Sequence, residues 1–129
     1  MVMMTKFLIY GVMGWCMEII WTGFNSLLKK DFKLNANTSL WMFFIYGMAI
    51  FLEPTYELLI KLPFIVRGGI YVICIFFAEY VTGCLLKKVN ACPWDYSDSR
   101  YNINGIIRLD YAPLWFIAGL IFEGVHRAF

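Results

Sequence analysis

Charge is what this sequence has least of. Only 16% of its 129 residues are charged, and the formal net charge is +2. Soluble domains carry about a quarter charged residues. The deficit is filled by apolar side chains, at 61% hydrophobic and 19% aromatic, with a mean hydropathy of +0.67. A soluble domain of this size cannot hide that much apolar surface from water, so the solvent for most of the chain is lipid. The small net charge excludes nucleic acid as the expected partner. The cysteines form no site either. Cys16, Cys74, Cys84 and Cys92 fall into no C-x-x-C or zinc spacing, and three of them sit in apolar runs where a thiol is a small hydrophobe. There is one histidine, His126, so Ser97 has no neighbouring base. No G-x-S-x-G and no Walker sequence occurs. An enzyme is therefore the weaker class, and no cofactor is expected.

Long apolar runs are present in number. About 20 residues cross the hydrocarbon, and four runs meet or approach that length: 7–28, 40–60, 65–86 and 111–125. The first lacks a small-x-small end and reads as a retained helix rather than a cleaved signal. Backbone groups in lipid must pair internally, so the runs are helices. Pro54 is expected to kink the second. Lys61-Leu62-Pro63 ends it and forces a short turn into the third. The expected architecture is all-α: a single four-helix transmembrane domain over residues 1–129.

The chain repeats itself. Lys6, Ile9, Tyr10 and Glu18 match Arg67, Ile70, Tyr71 and Glu79, each 61 positions further on. Thr22-Gly23 and Leu27-Leu28-Lys29-Lys30 recur as Thr82-Gly83 and Leu85-Leu86-Lys87-Lys88. Ser39-Leu40-Trp41 matches Pro113-Leu114-Trp115, and Glu53 matches Glu123. Helices one and two thus resemble helices three and four, as two helix pairs inserted the same way round. Lys6, Lys61, Arg67 and Arg127 lie on one side of this topology. Lys29, Lys30, Lys33, Lys87, Lys88, Arg100 and Arg108 lie on the other. The richer side is expected in the cytoplasm, which places the first and third connections there.

Each run carries a carboxylate: Glu18, then Glu53 and Glu57, then Glu79, then Glu123. A charged group inside a span costs roughly 2.5–3.5 kcal/mol on insertion scales. Helical spacing suggests what compensates. Gly11, Gly14, Glu18, Thr22 and Asn25 share one face, and so do Tyr46, Ala49, Glu53 and Glu57. Glu79, Thr82 and Gly83 share another, and Gly119, Glu123 and His126 a fourth. Small residues beside polar ones allow close helix approach and hydrogen bonding, so the stripes should meet inside a bundle. There the carboxylates either serve structure or line a polar pathway for a cation or proton. Glu18, Asn25, Glu53 and Glu79 are the expected pathway residues. Glu123-Gly124-Val125-His126 has the Glu-x-x-His spacing of di-iron bundles. A single copy would need a second from a partner subunit, so no metal is expected.

Residues 87–110 form the only long polar stretch. Trp94, Tyr96 and Tyr101 stand there among Asp and Asn residues, with Tyr111 just beyond. Rings with polar tips suit a membrane boundary, and Asx and Gly suit tight turns. An ordered cap is expected, with Trp94, Asp95, Tyr96, Ser97, Asn102, Asn104, Arg108 and Asp110 as its turn-forming or gating residues.

Trp94-Asp95-Tyr96-Ser97, Asn102-x-Asn104-Gly105, Leu114-Trp115, Gly14-Trp15-x-x-Glu18 and Ile45-Tyr46-Gly47 together resemble the family of putative ABC-transporter type IV membrane proteins. Ala91-Cys92-Pro93 before the first motif, and Asp110-Tyr111-Ala112-Pro113 before the third, are closer still to its transmembrane protein 229 branch. Many bacterial members carry an Arg-Gly…Gly-Pro segment after helix one. Here Asn35-Ala36-Asn37-Thr38-Ser39 stands in its place. The resemblance implies a multi-pass protein of the cell membrane, with any ATPase on a separate chain. The expected function is a small transporter or channel subunit, surrounded by lipid and assembled as a homo-oligomer, since four short helices enclose little volume. The alternative is a scaffold that binds lipid or a partner membrane protein without transport.

Overall fold

The computed structural model describes residues 2–128 and is predominantly helical. Helix α1 runs Val2–Leu28. Helix α2 covers Leu40–Leu59 in three parts: α-helical Leu40–Gly47, 3₁₀ Met48–Leu52 and α-helical Glu53–Leu59. Helix α3 runs Phe64–Lys88 and helix α4 Ala112–Ala128. Three of these, α1, α2 and α3, are long and apolar enough to cross a membrane. Helix α4 has 17 residues, about 25 Å at 1.5 Å per residue against a hydrocarbon core of about 30 Å.

The expected limits lie within three residues of the observed ones except at the start of α1. Helix α1 starts ahead of Phe7 because no Gly or Pro stops it there. The tightened 3₁₀ stretch of α2 lies just before Pro54. Proline has no N–H for the Ile50 carbonyl, and its ring crowds that carbonyl. Residues 87–110 are not purely irregular. Strand β1 (Asn102–Ile103) pairs antiparallel with β2 (Ile107–Arg108), Ile103 opposite Ile107. Asn104 and Gly105 turn the chain between them, both with positive φ, which is the backbone that Asn-Gly adopts most readily.

The chain divides into two compact units, Met1–Leu52 and Glu53–Phe129. In the first, α1 packs against the start of α2. A Cβ on Gly14 would lie 2.0 Å from the Tyr46 ring, one on Gly11 2.8 Å from Phe43, and one on Gly47 2.7 Å from Phe7. In the second, α3 packs against α4. Gly68 receives Phe116 and Gly119 receives Tyr71, where a Cβ would come within 2.2 and 2.5 Å. The two units fill similar crossings with the roles reversed. Phe7 supplies the ring on α1, whereas Gly68, 61 positions later, supplies the gap on α3.

The repeat also ends both long helices alike. The Lys30 N–H bonds the Leu27 carbonyl, and the Asp31 N–H bonds that of Ser26. Asn90 bonds Lys87 and Ala91 bonds Leu86 in the same way. Lys30 and Asn90 both have positive φ. This is the Schellman closure, which satisfies the last carbonyls of a helix. The repeated Thr-Gly receives the following connection in each unit. The Asn37 N–H donates to Thr22 Oγ1 at 3.0 Å, and Gly23 faces Leu34 and Ala36. Gly83 lies under Ile106 and Trp94.

Candidate functional site

A dense polar cluster lies in the second unit. Arg67 and Tyr71 are four residues apart on α3 and therefore share a face. Opposite them on α4 is Glu123, whose residue surface is 4% exposed. Arg67 Nε donates to Glu123 Oε2 at 2.9 Å, and the Tyr71 hydroxyl donates to the same oxygen. Arg127, one turn further along α4, reaches Oε1 at 3.2 Å. A second guanidinium nitrogen of Arg67 donates to the Leu62 carbonyl in the α2–α3 turn. One buried carboxylate thus binds the start of α3, the end of α4 and, through Arg67, the intervening turn. Leaving such a charge without partners would be costly; here three donors converge on it.

The next turn of α4 adds a second node. His126 Nδ1 meets Glu53 Oε2, and its Nε2 faces Glu57 Oε1 at 3.5 Å. Glu53 and Glu57 are themselves four apart on α2, so one imidazole spans both. The Tyr56 ring packs between the nodes, 5.5 Å from His126 and 5.2 Å edge-on to Tyr71. Glu123 and His126, read from sequence as a metal-like pair, therefore engage different partners. Their opposite ends face a guanidinium–phenol set and a carboxylate pair.

The expected pathway residues divide between the units. Glu18 belongs to the first unit, where it accepts the Tyr46 hydroxyl at 3.1 Å. Asn25 lies two turns further along α1. It is half-buried, and its carbonyl accepts the Lys29 N–H. Glu53 and Glu79 belong to the second unit. Glu79 is 8% exposed near the middle of α3, one turn before Gly83. Arg67, Tyr56 and Tyr71 were not anticipated as site residues. Arg67 reads as a flanking charge in a topology count. The Arg67-x-x-x-Tyr71 spacing was the available signal, and the repeat had already marked both positions.

The cap docks on the second unit through a few bonds. Trp94 Nε1 donates to the Ile106 carbonyl at 2.9 Å, and the pair covers Gly83. The Tyr96 N–H reaches the Gly105 carbonyl at 2.8 Å. Asp95 Oδ1 accepts the Ser97 N–H at 2.9 Å, an Asx turn at an exposed position. Asn102 Oδ1 accepts the Gly105 N–H, and its Nδ2 reaches the Ser99 carbonyl. Asn104 Nδ2 donates to the Tyr80 hydroxyl at 3.0 Å, and Lys87 Nζ donates to the Asn104 carbonyl at 3.0 Å. Arg108 pairs with Asp110 at 2.9 Å, lies 4.4 Å above the Tyr111 ring, and donates to the Tyr111 hydroxyl.

Ordinary electrostatics follow from these bonds. The Ser97 backbone N–H, its hydroxyl and then Lys87 hold the Asp95 carboxyl below its usual range. The Arg108 guanidinium does the same for Asp110, and Asp110 raises Arg108 in return.

Apolar helices of spanning length, polar groups turned onto one another and a capped connection define a multi-pass membrane protein. The chain belongs to the family described as putative ABC-transporter type IV, matched over residues 5–129. No solved structure matches it.

Proposed function

We propose that this chain is the membrane-embedded subunit of a transporter, within the transmembrane protein 229 branch of its family. Helix α4 completes four spans, arranged as two parallel-related helix pairs in one domain of the cell membrane. Glu18, Asn25, Glu53 and Glu79 line a polar pathway for a cation or proton. The cap residues, with Asp95 among them, close its cytoplasmic mouth. The observation that carries this reading is the burial of Glu79 near the middle of an apolar span, where a carboxylate is expensive and marks function by default. A homo-oligomer supplies the volume that four short helices lack. The sequence holds no nucleotide-binding motif, so energy from ATP would come through a separate chain.

A second reading has its own support. Glu123 is saturated by Arg67, Tyr71 and Arg127, as in a rigid structural element. A scaffold that binds lipid or another membrane protein would need nothing more. Flux in proteoliposomes separates the two. The transporter reading expects cation or proton flux that Glu18→Gln and Glu79→Gln abolish while insertion and helicity stay intact. Unchanged flux in both variants would refute it. No flux from the wild type, together with a copurifying membrane protein, would favour the scaffold.

A further inference from the structure

The two Leu-Leu-Lys-Lys segments differ in placement and in cover: Lys87 and Lys88 lie in the last turn of α3, whereas Lys29 and Lys30 follow the end of α1. Lys87 is held by the cap, its ammonium on the Asn104 carbonyl at 3.0 Å. The first connection has no such cover. Lys29, Lys30 and Lys33 are exposed, and among the described residues their side chains have no hydrogen-bond or ion-pair partner. The one acid among them, Asp31, is already engaged. Its Oδ1 takes the Lys33 N–H at 3.1 Å and its Oδ2 the Asn35 amide at 3.1 Å. Apolar side chains lie among the lysines and stay largely in the open. Phe32 is 80% exposed, Leu28 65% and Leu34 50%. The segment is nonetheless ordered by the Schellman closure at Lys30, the Asp31 bonds, the Ser26 hydroxyl on the Asn35 carbonyl and the Thr22–Asn37 bonds. It follows directly on a helix of 27 residues, about 40 Å long, which exceeds the hydrocarbon core of about 30 Å.

We propose that the first connection is a docking segment for anionic phospholipid headgroups, with Lys29, Lys30 and Lys33 on the phosphates and Phe32 seated at the acyl boundary. The occupant follows from complementarity of two kinds. Unpartnered ammonium groups seek phosphate, and an unpacked ring beside them at the end of a span seeks the interface between headgroup and chain. An acidic protein partner would satisfy the lysines and leave Phe32 in water. The segment therefore ties the start of the α1–α2 connection to the charge of one leaflet, whatever the protein transports.

The test uses the full chain in neutral detergent micelles, titrated with phosphatidylglycerol or phosphatidylcholine, with bound lipid counted by native mass spectrometry. The wild type should bind phosphatidylglycerol more tightly. Each lysine neutralised by Lys→Gln should lower that preference about five-fold, and the triple variant Lys29→Gln/Lys30→Gln/Lys33→Gln should lose it. Lys61→Gln, in the α2–α3 turn, should leave it intact. High salt should weaken it. Phe32→Ser should weaken binding of both lipids, and glycerol phosphate without acyl chains should not displace them. Equal binding of the two lipids by the wild type would overturn the proposal, as would a triple variant that keeps the preference or a Lys61→Gln that loses it. Displacement by glycerol phosphate, with Phe32→Ser unaffected, would mark a free-phosphate site and overturn the assignment to lipid.

Discussion

Replacing Arg67 by methionine should destabilise the second unit far more than losing one surface charge would. The Arg67 and Glu123 side chains are 14% and 5% exposed, so water screens their pairing little. Breaking a buried pair by removing one partner costs about 3–5 kcal/mol, because the other charge stays buried. Two features adjust that figure in opposite directions. Tyr71 and Arg127 remain on Glu123 and reduce the loss. The Leu62 carbonyl loses its donor, which adds about 1 kcal/mol. The expected loss for Arg67→Met is therefore about 3 kcal/mol. The double variant Arg67→Met/Glu123→Leu removes both charges together and should recover part of it, since apolar replacement of a buried pair is often neutral or better, while the Leu62 carbonyl and the Tyr71 hydroxyl still lose their partners. The assay is reversible unfolding in mixed micelles followed by circular dichroism, run as a double-mutant cycle. A single variant as stable as the wild type, or a double variant worse than the two singles added, would refute the view that Glu123 depends on Arg67.

Two more measurements bear on packing and on the cap. Gly14→Ala forces a methyl into the Tyr46 ring, so it should cost about 1–3 kcal/mol and lengthen the Tyr46–Glu18 bond. Gly69→Ala meets nothing within 4 Å and should be neutral or stabilising by up to about 1 kcal/mol; thermal unfolding of both variants checks the contrast. The cap should loosen in acid. Asp95 and Asp110 sit below the ordinary aspartate value of 3.8, so they bind protons less readily when folded. Their contribution is complete above that value and is lost as pH falls through the lower folded values. Hydrogen exchange over residues 94–110, taken relative to the intrinsic rate at each pH, should lose protection only in that acid range, and Asp95→Asn should remove part of the pH dependence.

Helix formation and membrane residence were legible in the sequence because lipid imposes both. A span without water must bond its own backbone, and hydropathy alone marks where that applies. The break in α2 was legible from Pro54, since a missing N–H acts locally. The order of the cap was foreshadowed by its Asx and Gly residues. The Asn104-Gly105 hairpin signal stood between Ile103 and Ile106, although the strands themselves were not foreseen. The start of α1 was the least legible limit, because the apolar run begins after Lys6 while the helix begins ahead of it.

What only the tertiary structure decided is which donor meets which acid. Spacing assigns Glu123 and His126 to one face of α4, but the face does not say what lies across from it. Packing at Gly68 and Gly119 brings α3 close enough for Arg67 and Tyr71 to reach Glu123, while His126 turns to Glu53 and Glu57. The periodicity of a helix is a local property, carried by each residue's place on a 100° turn. The partner across a crossing depends on side chains dozens of positions away, and on gaps that only a folded interface opens. Composition and period therefore determined that the acids lie within apolar helices, and three-dimensional packing determined what each of them holds.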